Sequence, residues 1–538
     1  MEIYLMENRL TELPKDPQCP VLLVLFLNRN YKLRTISPSF FDYMPALEIL
    51  NLSRTRIKSL PESLFRLSSL KRLFLNHWTE IMDLPKEVGK LTKLTCLEVS
   101  FCRRVNRGTK SVRANALIPQ GTISALSQLE ELSIDVNPED ERWENVVEGI
   151  VDDICGLLSL DTLRLYFPHV GHLRKVKWFD TSKVSRSLSH FKFIVGSHNE
   201  RIMSRLPVVL EFEIERWDRS LKYVNGLGVP RDIQNMLRHT TAFFIDRHTN
   251  VIKLSDFGIK NMGQMKCCII GECNEIQVII DGTDMYDEAD RSEIVLESRE
   301  DGKSFLGSLE YLYIYHMKSL RGIYEGPMHR GCLSHLRSLA LLTCPQLTTI
   351  FTPGLLKNLD SLEEIKVQDC PLVLSLVMCE DTSIYESTHF LPNLKRISLF
   401  SLPELTSISN GLHIAPNLER MNISDCPNLK SPSSDGICCN HLTGAKGGLN
   451  RTQSSIHSST ALSPSVQPQG EKCRPVSLPT PRSEGYILSD PNLKVFAYSE
   501  LNYSTGNFHN DNLMGEGGFG YVYKGWIDEL TFSPARPG

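Results

Sequence analysis

The chain has 538 residues, 41% of them hydrophobic and 23% charged, which is enough apolar material for several domains or one long repeat array and excludes wholesale disorder. Its 59 Lys and Arg stand against 63 Asp and Glu, a near-neutral balance that gives no general pull toward nucleic acid or an anionic membrane. The opening residues, MEIYLMENRLTELPK, put Glu2, Glu7, Arg9 and Glu12 where a signal peptide needs an unbroken apolar stretch, and no apolar run reaches the roughly 18 residues of a membrane span. These features read as a soluble, cytoplasmic chain, in which the N-x-S/T sequons at Asn51, Asn422, Asn450 and Asn502 are chance matches.

Taken in chain order, the dominant pattern is a set of apolar residues at offsets 0, 3, 5, 8 and 11. In residues 1–165 its first positions are Leu22, Leu47, Leu70 and Leu94. Residues 166–307 are less regular, although Met265, Cys268, Ile270, Cys273 and Ile276 recover the register. Residues 308–432 keep it throughout, from Leu309, Leu312, Ile314, Met317 and Leu320 to Leu418, Met421, Ile423, Cys426 and Leu429. Starts spaced by roughly 23 to 32 residues predict leucine-rich repeats: an α/β solenoid whose short strands form a curved parallel sheet on the concave side.

Side chains alternate across a strand, so offsets 3 and 5 point into the core while offsets 2, 4 and 6 point to the concave face. That places Tyr311, Tyr313 and Tyr315 on the predicted ligand face, followed by Glu364 and Lys366, then Arg396 and Phe400, then Arg420. Aromatic residues beside arginines are favoured at protein interfaces. A protein partner is therefore expected on this face.

Cys102, Cys273, Cys344, Cys370 and Cys426 all fall at offset 8, where the backbone turns out of the strand; they are spaced by the repeat, not for pairing. CCIIGEC, with Cys267, Cys268 and Cys273, lacks a second C-x-x-C or a nearby histidine pair, and Cys438, Cys439 and His441 offer still less, so no metal site is expected. KLSDFG, residues 253–258, imitates a magnesium-binding kinase triplet. No H-R-D-x-x-x-x-N precedes it and it lies before the Gly-rich loop, so Asp256 reads as a repeat residue.

ALEILNLSRTRIKSLPESLFRLSSLKRLFL, LPKEVGKLTKLTCLEVS, RSLKYVNGLGVP and LSDFGIKNM resemble the repeat region of plant coiled-coil nucleotide-binding leucine-rich-repeat disease-resistance proteins, a likeness spanning roughly residues 1 to 432. The resemblance implies a cytoplasmic immune receptor whose repeats sense a pathogen effector or a host protein. No G-x-x-x-x-G-K-S/T loop occurs in the chain, so the nucleotide-driven switch of that family is not expected in it.

Residues 433–490 turn to Ser, Pro, Gly and Thr and predict a disordered linker. Residues 491–538 contain NLMGEGGFGYVYKG and resemble the start of a plant receptor-like cytoplasmic kinase. In that family the glycines matching Gly515, Gly517 and Gly520 approach the ATP phosphates, and the valine matching Val522 covers the adenine. The sequence stops at LTFSPARPG, before any strand lysine or catalytic loop, so the loop is expected to be vestigial and the chain not to be an enzyme or to carry a cofactor. The alternative is a kinase regulator or decoy that docks through its repeats.

Overall fold

The computed structural model describes residues 1–78, 83–101, 116–138, 140–176, 188–197, 216–285, 306–379 and 389–429, together with 504, 513–517, 520–523, 526–527 and 534–535. They belong to two compact units, Met1–Ala445 and Lys446–Gly538. Cys102, Cys438, Cys439, His441 and the expected linker 433–490 lie outside the described residues.

The first unit carries the strands β1 (Glu2–Tyr4), β2 (Val24–Phe26), β3 (Ile49–Asn51), β4 (Arg72–Trp78), β5 (Cys96–Phe101) and β6 (Glu131–Val136). Then follow β7 (Thr162–Phe167), β8 (His190–Val195), β9 (Arg219–Val224), β10 (Ala242–Asp246), β11 (Cys267–Gly271), β12 (Val278–Asp281) and β13 (Tyr311–Tyr315). The remainder are β14 (Gly322–Glu325), β15 (Ser338–Leu342), β16 (Glu364–Gln368), β17 (His389–Phe390), β18 (Arg396–Phe400), β19 (His413–Ile414) and β20 (Arg420–Ser424). Apart from β12, β14, β17 and β19, these form one sheet of sixteen strands in chain order, and its strands pair in parallel. The pairs β12–β14 and β17–β19 form separate two-stranded ladders on the return side. The sheet runs unbroken through β7 to β11, so the stretch from 166 to 307, irregular in its apolar spacing, keeps the strand rhythm.

The register explains the apolar offsets. In β16 the exposure alternates, with Ile365 and Val367 buried between half-buried Glu364, Lys366 and Gln368. Offsets 0, 8 and 11 close the core from the turns, as Leu362, Cys370 and Val373 do at zero exposure. Burying a Leu or Val in this way is worth about 1.5–3 kcal/mol, and the cluster continues from Leu22 to Leu418.

Two polar devices recur at many of the turns. At offset 7 the backbone is left-handed on non-glycine residues: φ is 54° at His316, 56° at Thr343, 53° at Asp369 and 53° at Ser401. That twist lets the amide donate to the next repeat, His316 to Leu342 O and Thr343 to Gln368 O, both at 2.8 Å, which extends the ladder by one bond past the strand. At offset 8 the Cys370 thiol donates to Gln368 O at 3.3 Å. In the N-terminal repeats Asn30 fills the slot, its Nδ2 donating to Leu5 O and Leu27 O while its Oδ1 accepts from the Leu10 amide.

Several returns contain short 3₁₀ turns such as Glu62–Arg66. The longest helix among the described residues is α1 (Glu141–Cys155), capped by Asp140, which accepts from the Arg142 amide, and buried along Trp143, Val147, Ile150, Val151 and Ile154. That spacing follows one face of a helix. The SDFG turn is likewise structural: Asp256 accepts from the Ile252 and Lys253 amides and Phe257 is fully buried. Asp256 is a turn cap, as its reading as a repeat residue requires.

Candidate recognition face

Strand pairing lines the concave residues into rows. One row runs Ser220, Ala242, Cys267, Tyr311, Ser338, Glu364, Arg396 and Arg420. The next runs Lys222, Phe244, Ile269, Tyr313, Ala340, Lys366, Ser398 and Asn422. The third runs Val224, Asp246, Gly271, Tyr315, Leu342, Gln368, Phe400 and Ser424. Adjacent members stand about 4.8 Å apart, the spacing between strands.

The centre of the face is apolar. Ala242, Phe244, Cys267, Ile269 and Tyr315 form a cluster distinct from the main core, with Trp217, Tyr311, Tyr313 and Leu342 packed at its edge. Tyr311 and Tyr313 are half-buried, their rings 6.3 Å apart. Trp217 meets Tyr311 edge-on at 6.0 Å, and the Arg216 guanidinium lies 5.1 Å from the Tyr311 centroid and 5.6 Å from that of Trp217. Among the described residues the buried Trp217 indole N–H has no hydrogen-bond acceptor. A buried donor left unmet costs about 1–3 kcal/mol, so this edge gains by accepting a carbonyl or carboxylate.

Tyr315 corrects the expectation that it is presented to a ligand. It is 2% exposed. Its ring lies across the strand-pair partner Gly271, where an added Cβ would collide with its ring and hydroxyl; it stacks on Phe244 and donates from its hydroxyl to Asp246 Oδ1 at 3.3 Å. Burial pushes the Asp246 carboxyl up to about 6, opposed by Arg247 and Lys222. The Lys222 ammonium sits 4.8 Å from the Phe244 centroid, a cation–π contact.

Toward the C-terminal end the face becomes charged. Arg396 pairs with Glu364 at 3.1 Å, Lys366 and Phe400 are half-buried, and Arg420 is exposed. Arg396 and Arg420 are direct strand-pair neighbours, a like-charge rung that favours an acidic partner. Ser338 and Ala340, between the tyrosines and the Glu364–Lys366 strand, are small and buried, and separate the aromatic from the charged part. Toward the N-terminal end a polar groove of about 620 Å³ is lined by Glu98, Glu131, Asp135, Arg164 and Lys192 among others.

Of the sequence-predicted residues, the structure brings Tyr311 and Tyr313 into one aromatic patch, sets Glu364, Lys366, Arg396, Phe400 and Arg420 on the strands beyond Ser338–Leu342, and removes Tyr315 from the surface. Sequence reasoning missed Arg216, Trp217 and Phe244. Phe244 follows from the alternation on β10; Arg216 and Trp217 precede β9, and their only signal is an Arg–Trp pair bordering a strand. Among the described residues no group of three or more His, Cys, Asp and Glu side chains is placed to hold a metal ion. Cys267, Cys268 and Cys273 are buried, and burial pushes the Cys273 thiol up to about 12. Gly515 and Gly517 lie on the strand Leu513–Gly517, and Gly520 and Val522 on its antiparallel partner Gly520–Tyr523, with Gly517 facing Gly520.

The family model for a leucine-rich repeat region matches residues 2–213, and the model for plant disease resistance protein RPS2-like leucine-rich repeats matches residues 245–371. The chain is a leucine-rich-repeat protein. This leucine-rich-repeat protein is 27% identical over 436 residues to disease resistance protein At4g27190 of Arabidopsis thaliana, covering 75% of the chain and 40% of that relative. Over 88 residues it is 52% identical to probable serine/threonine-protein kinase PBL4 of Arabidopsis thaliana, covering 16% of the chain and 21% of the kinase. Over 60 residues it is 58% identical to receptor-like cytoplasmic kinase 176 of Oryza sativa subsp. japonica, covering 11% and 15%. The chain thus spans well under half the length of each of these relatives, and the kinase likeness is confined to a fragment. Among solved structures, an internalin (inlF) from Listeria monocytogenes aligns with a TM-score of 0.36 at 15% identity, over 69% of this chain and 85% of that one. No helix among the described residues is long and apolar enough to cross a membrane.

Proposed function

We propose that this chain is a non-enzymatic recognition module of a plant intracellular immune receptor, acting in the cytoplasm and binding a pathogen effector or a host protein on its concave face. The observation that carries this reading is the patch of Trp217, Tyr311 and Tyr313 with Arg216 stacked on it, next to a rung of unlike and like charges at Glu364, Arg396 and Arg420. Large, rigid aromatics and arginines supply most of the energy of protein interfaces. The likeness to a disease resistance protein over three quarters of the chain supports the biological setting.

The test is proximity labelling in plant tissue with the full chain beside a Tyr311→Ala, Tyr313→Ala, Arg396→Glu variant of equal abundance. Proteins labelled by the wild type and lost by the variant identify the partner. An unchanged labelling profile removes the concave face from recognition.

A second reading rests on the kinase-like fragment. The glycines of the nucleotide pattern lie on a hairpin, and close relatives of that fragment are kinases, so the chain would act as a kinase regulator or decoy. Binding of ATP with magnesium by the full chain, lost in Gly517→Val, favours it; equal silence of both proteins leaves Gly515, Gly517, Gly520 and Val522 without a nucleotide role.

A further inference from the structure

Along the flank where the strands begin, cations of one repeat meet carboxylates of an adjacent one: Lys71 with Glu48 at 2.9 Å, Lys266 with Glu310 at 3.2 Å, and Arg337 and Lys395 with Glu363 at 2.6 and 3.4 Å. Where the strands end, the N-terminal repeats break this rule. Arg9, Lys32, Arg34, Arg56 and Lys58 are all exposed, and no ion pair involves any of them among the described residues.

The backbone sets these cations side by side. The Arg56 amide donates to Leu33 O at 3.0 Å and the Lys58 amide to Arg34 O at 3.3 Å, so Lys32 and Arg34 lie on the rung next to Arg56 and Lys58. These two bonds hold the segments side by side and gather four exposed cations into one cluster, with Arg9 in the preceding repeat. Like charges on adjacent rungs repel. Five of the six carboxylates in residues 1–60 are engaged elsewhere: Glu2 with Tyr4, Glu7 with Arg29, Asp16 with Ser39, Asp42 with Arg66 and Glu48 with Lys71; the sixth, Glu12, is exposed and leaves the patch with a net positive charge. Tyr31, 55% exposed, borders the patch and adds an apolar anchor with a hydroxyl.

We propose that this flank is a second docking surface, distinct from the concave face, that takes an acidic segment of a partner protein. The patch spans only about three rungs and two residues along each, the footprint of a short extended peptide whose carboxylates repeat every second residue. A nucleic-acid duplex would need a longer track of cations to release enough counterions for stable binding.

The experiment uses the full chain and a fluorescent octapeptide of alternating Asp and Gly residues, titrated at low salt by anisotropy. Binding is expected for the wild type, weakened about tenfold or more in a Lys32→Glu, Arg56→Glu variant and progressively by added salt, since exposed charges are screened within about 10 Å at 0.1 M. A Lys90→Glu, Lys93→Glu control carries the same net charge change at another exposed place and is expected to bind as the wild type. The flank variant is expected to melt no lower than wild type, because reversal removes repulsion; if it melts lower, Lys32→Gln with Arg56→Gln replaces it, with a smaller loss expected. Equal loss in the control, or no loss in either flank variant, overturns the proposal. So does failure of the peptide to bind while oligo-dT or phosphatidylserine vesicles bind in a manner that the flank variants abolish, which would assign the surface to phosphate instead.

Discussion

Replacing Gly271 by alanine tests the arrangement at the centre of the concave face. The new Cβ would fall inside contact distance of Cζ, Oη and Cε2 of Tyr315, so the ring must swing away. Overfilling of this kind costs about 1–3 kcal/mol. Moving the ring also breaks its hydrogen bond to the buried Asp246 carboxylate, worth about 1–3 kcal/mol, while alanine returns about 0.5–1 kcal/mol of backbone entropy in a strand. The net expectation is a loss of about 2–4 kcal/mol on these terms. Tyr315→Ala alone should cost about 3–5 kcal/mol. In the double variant the clash has no partner, so the costs should fall short of their sum by at least about 1 kcal/mol. Urea denaturation gives the three values, and hydrogen exchange of the 267–271 amides localises them. A Gly271→Ala protein within about 0.5 kcal/mol of wild type, or strictly additive variants, would refute the placement of Tyr315 across Gly271.

The raised carboxyl of Asp246 sets a pH dependence. Its pKa is about 6 when folded, against 3.8 for an ordinary aspartate, so the native state holds an extra proton between those values and stability falls as pH rises from about 4 to 6, by up to about 3 kcal/mol; Asp246→Asn should flatten that slope, measured by urea titrations at several pH values. His248 acts the opposite way: burial lowers its pKa, so its contribution is present above about 6.5 and lost on acidification, and His248→Gln should reduce the acid-side loss. Thr343 is β-branched at φ 56°, a conformation costing about 1–2 kcal/mol that glycine avoids, so Thr343→Gly should stabilise the fold by about 1 kcal/mol, and a lower melting temperature would contradict this. Asn30→Ala removes the donor and acceptor of three buried or half-buried hydrogen bonds and should cost about 2–4 kcal/mol, read as early exchange of the Leu10 amide.

The repeat was legible because both of its periods are local. Leu309, Leu312, Ile314, Met317 and Leu320 declare one strand and its turn without reference to any other repeat, and the alternation alone places Tyr311 and Tyr313 on the outer face. The left-handed turns were not legible, since His316, Thr343, Asp369 and Ser401 share no residue type; what unites them is the amide that each offers to the following repeat. The basic flank was hidden for a related reason: the overall charge is near neutral, and only the pairing of Arg56 with Leu33 and Lys58 with Arg34 reveals like charges on neighbouring rungs.

By itself the sequence determined the solenoid, its sheet face and its core, because apolar side chains at period-two spacing inside a repeat have one arrangement that buries them. Which face residues reach solvent was decided only by tertiary structure. Tyr315 obeys the same alternation as Tyr311 and Tyr313, yet the absence of a side chain at Gly271, 44 positions earlier in the chain, opens a space for its ring and a buried carboxylate holds its hydroxyl. Exposure is a property of neighbours brought together across strands, and the spacing within one strand does not contain it.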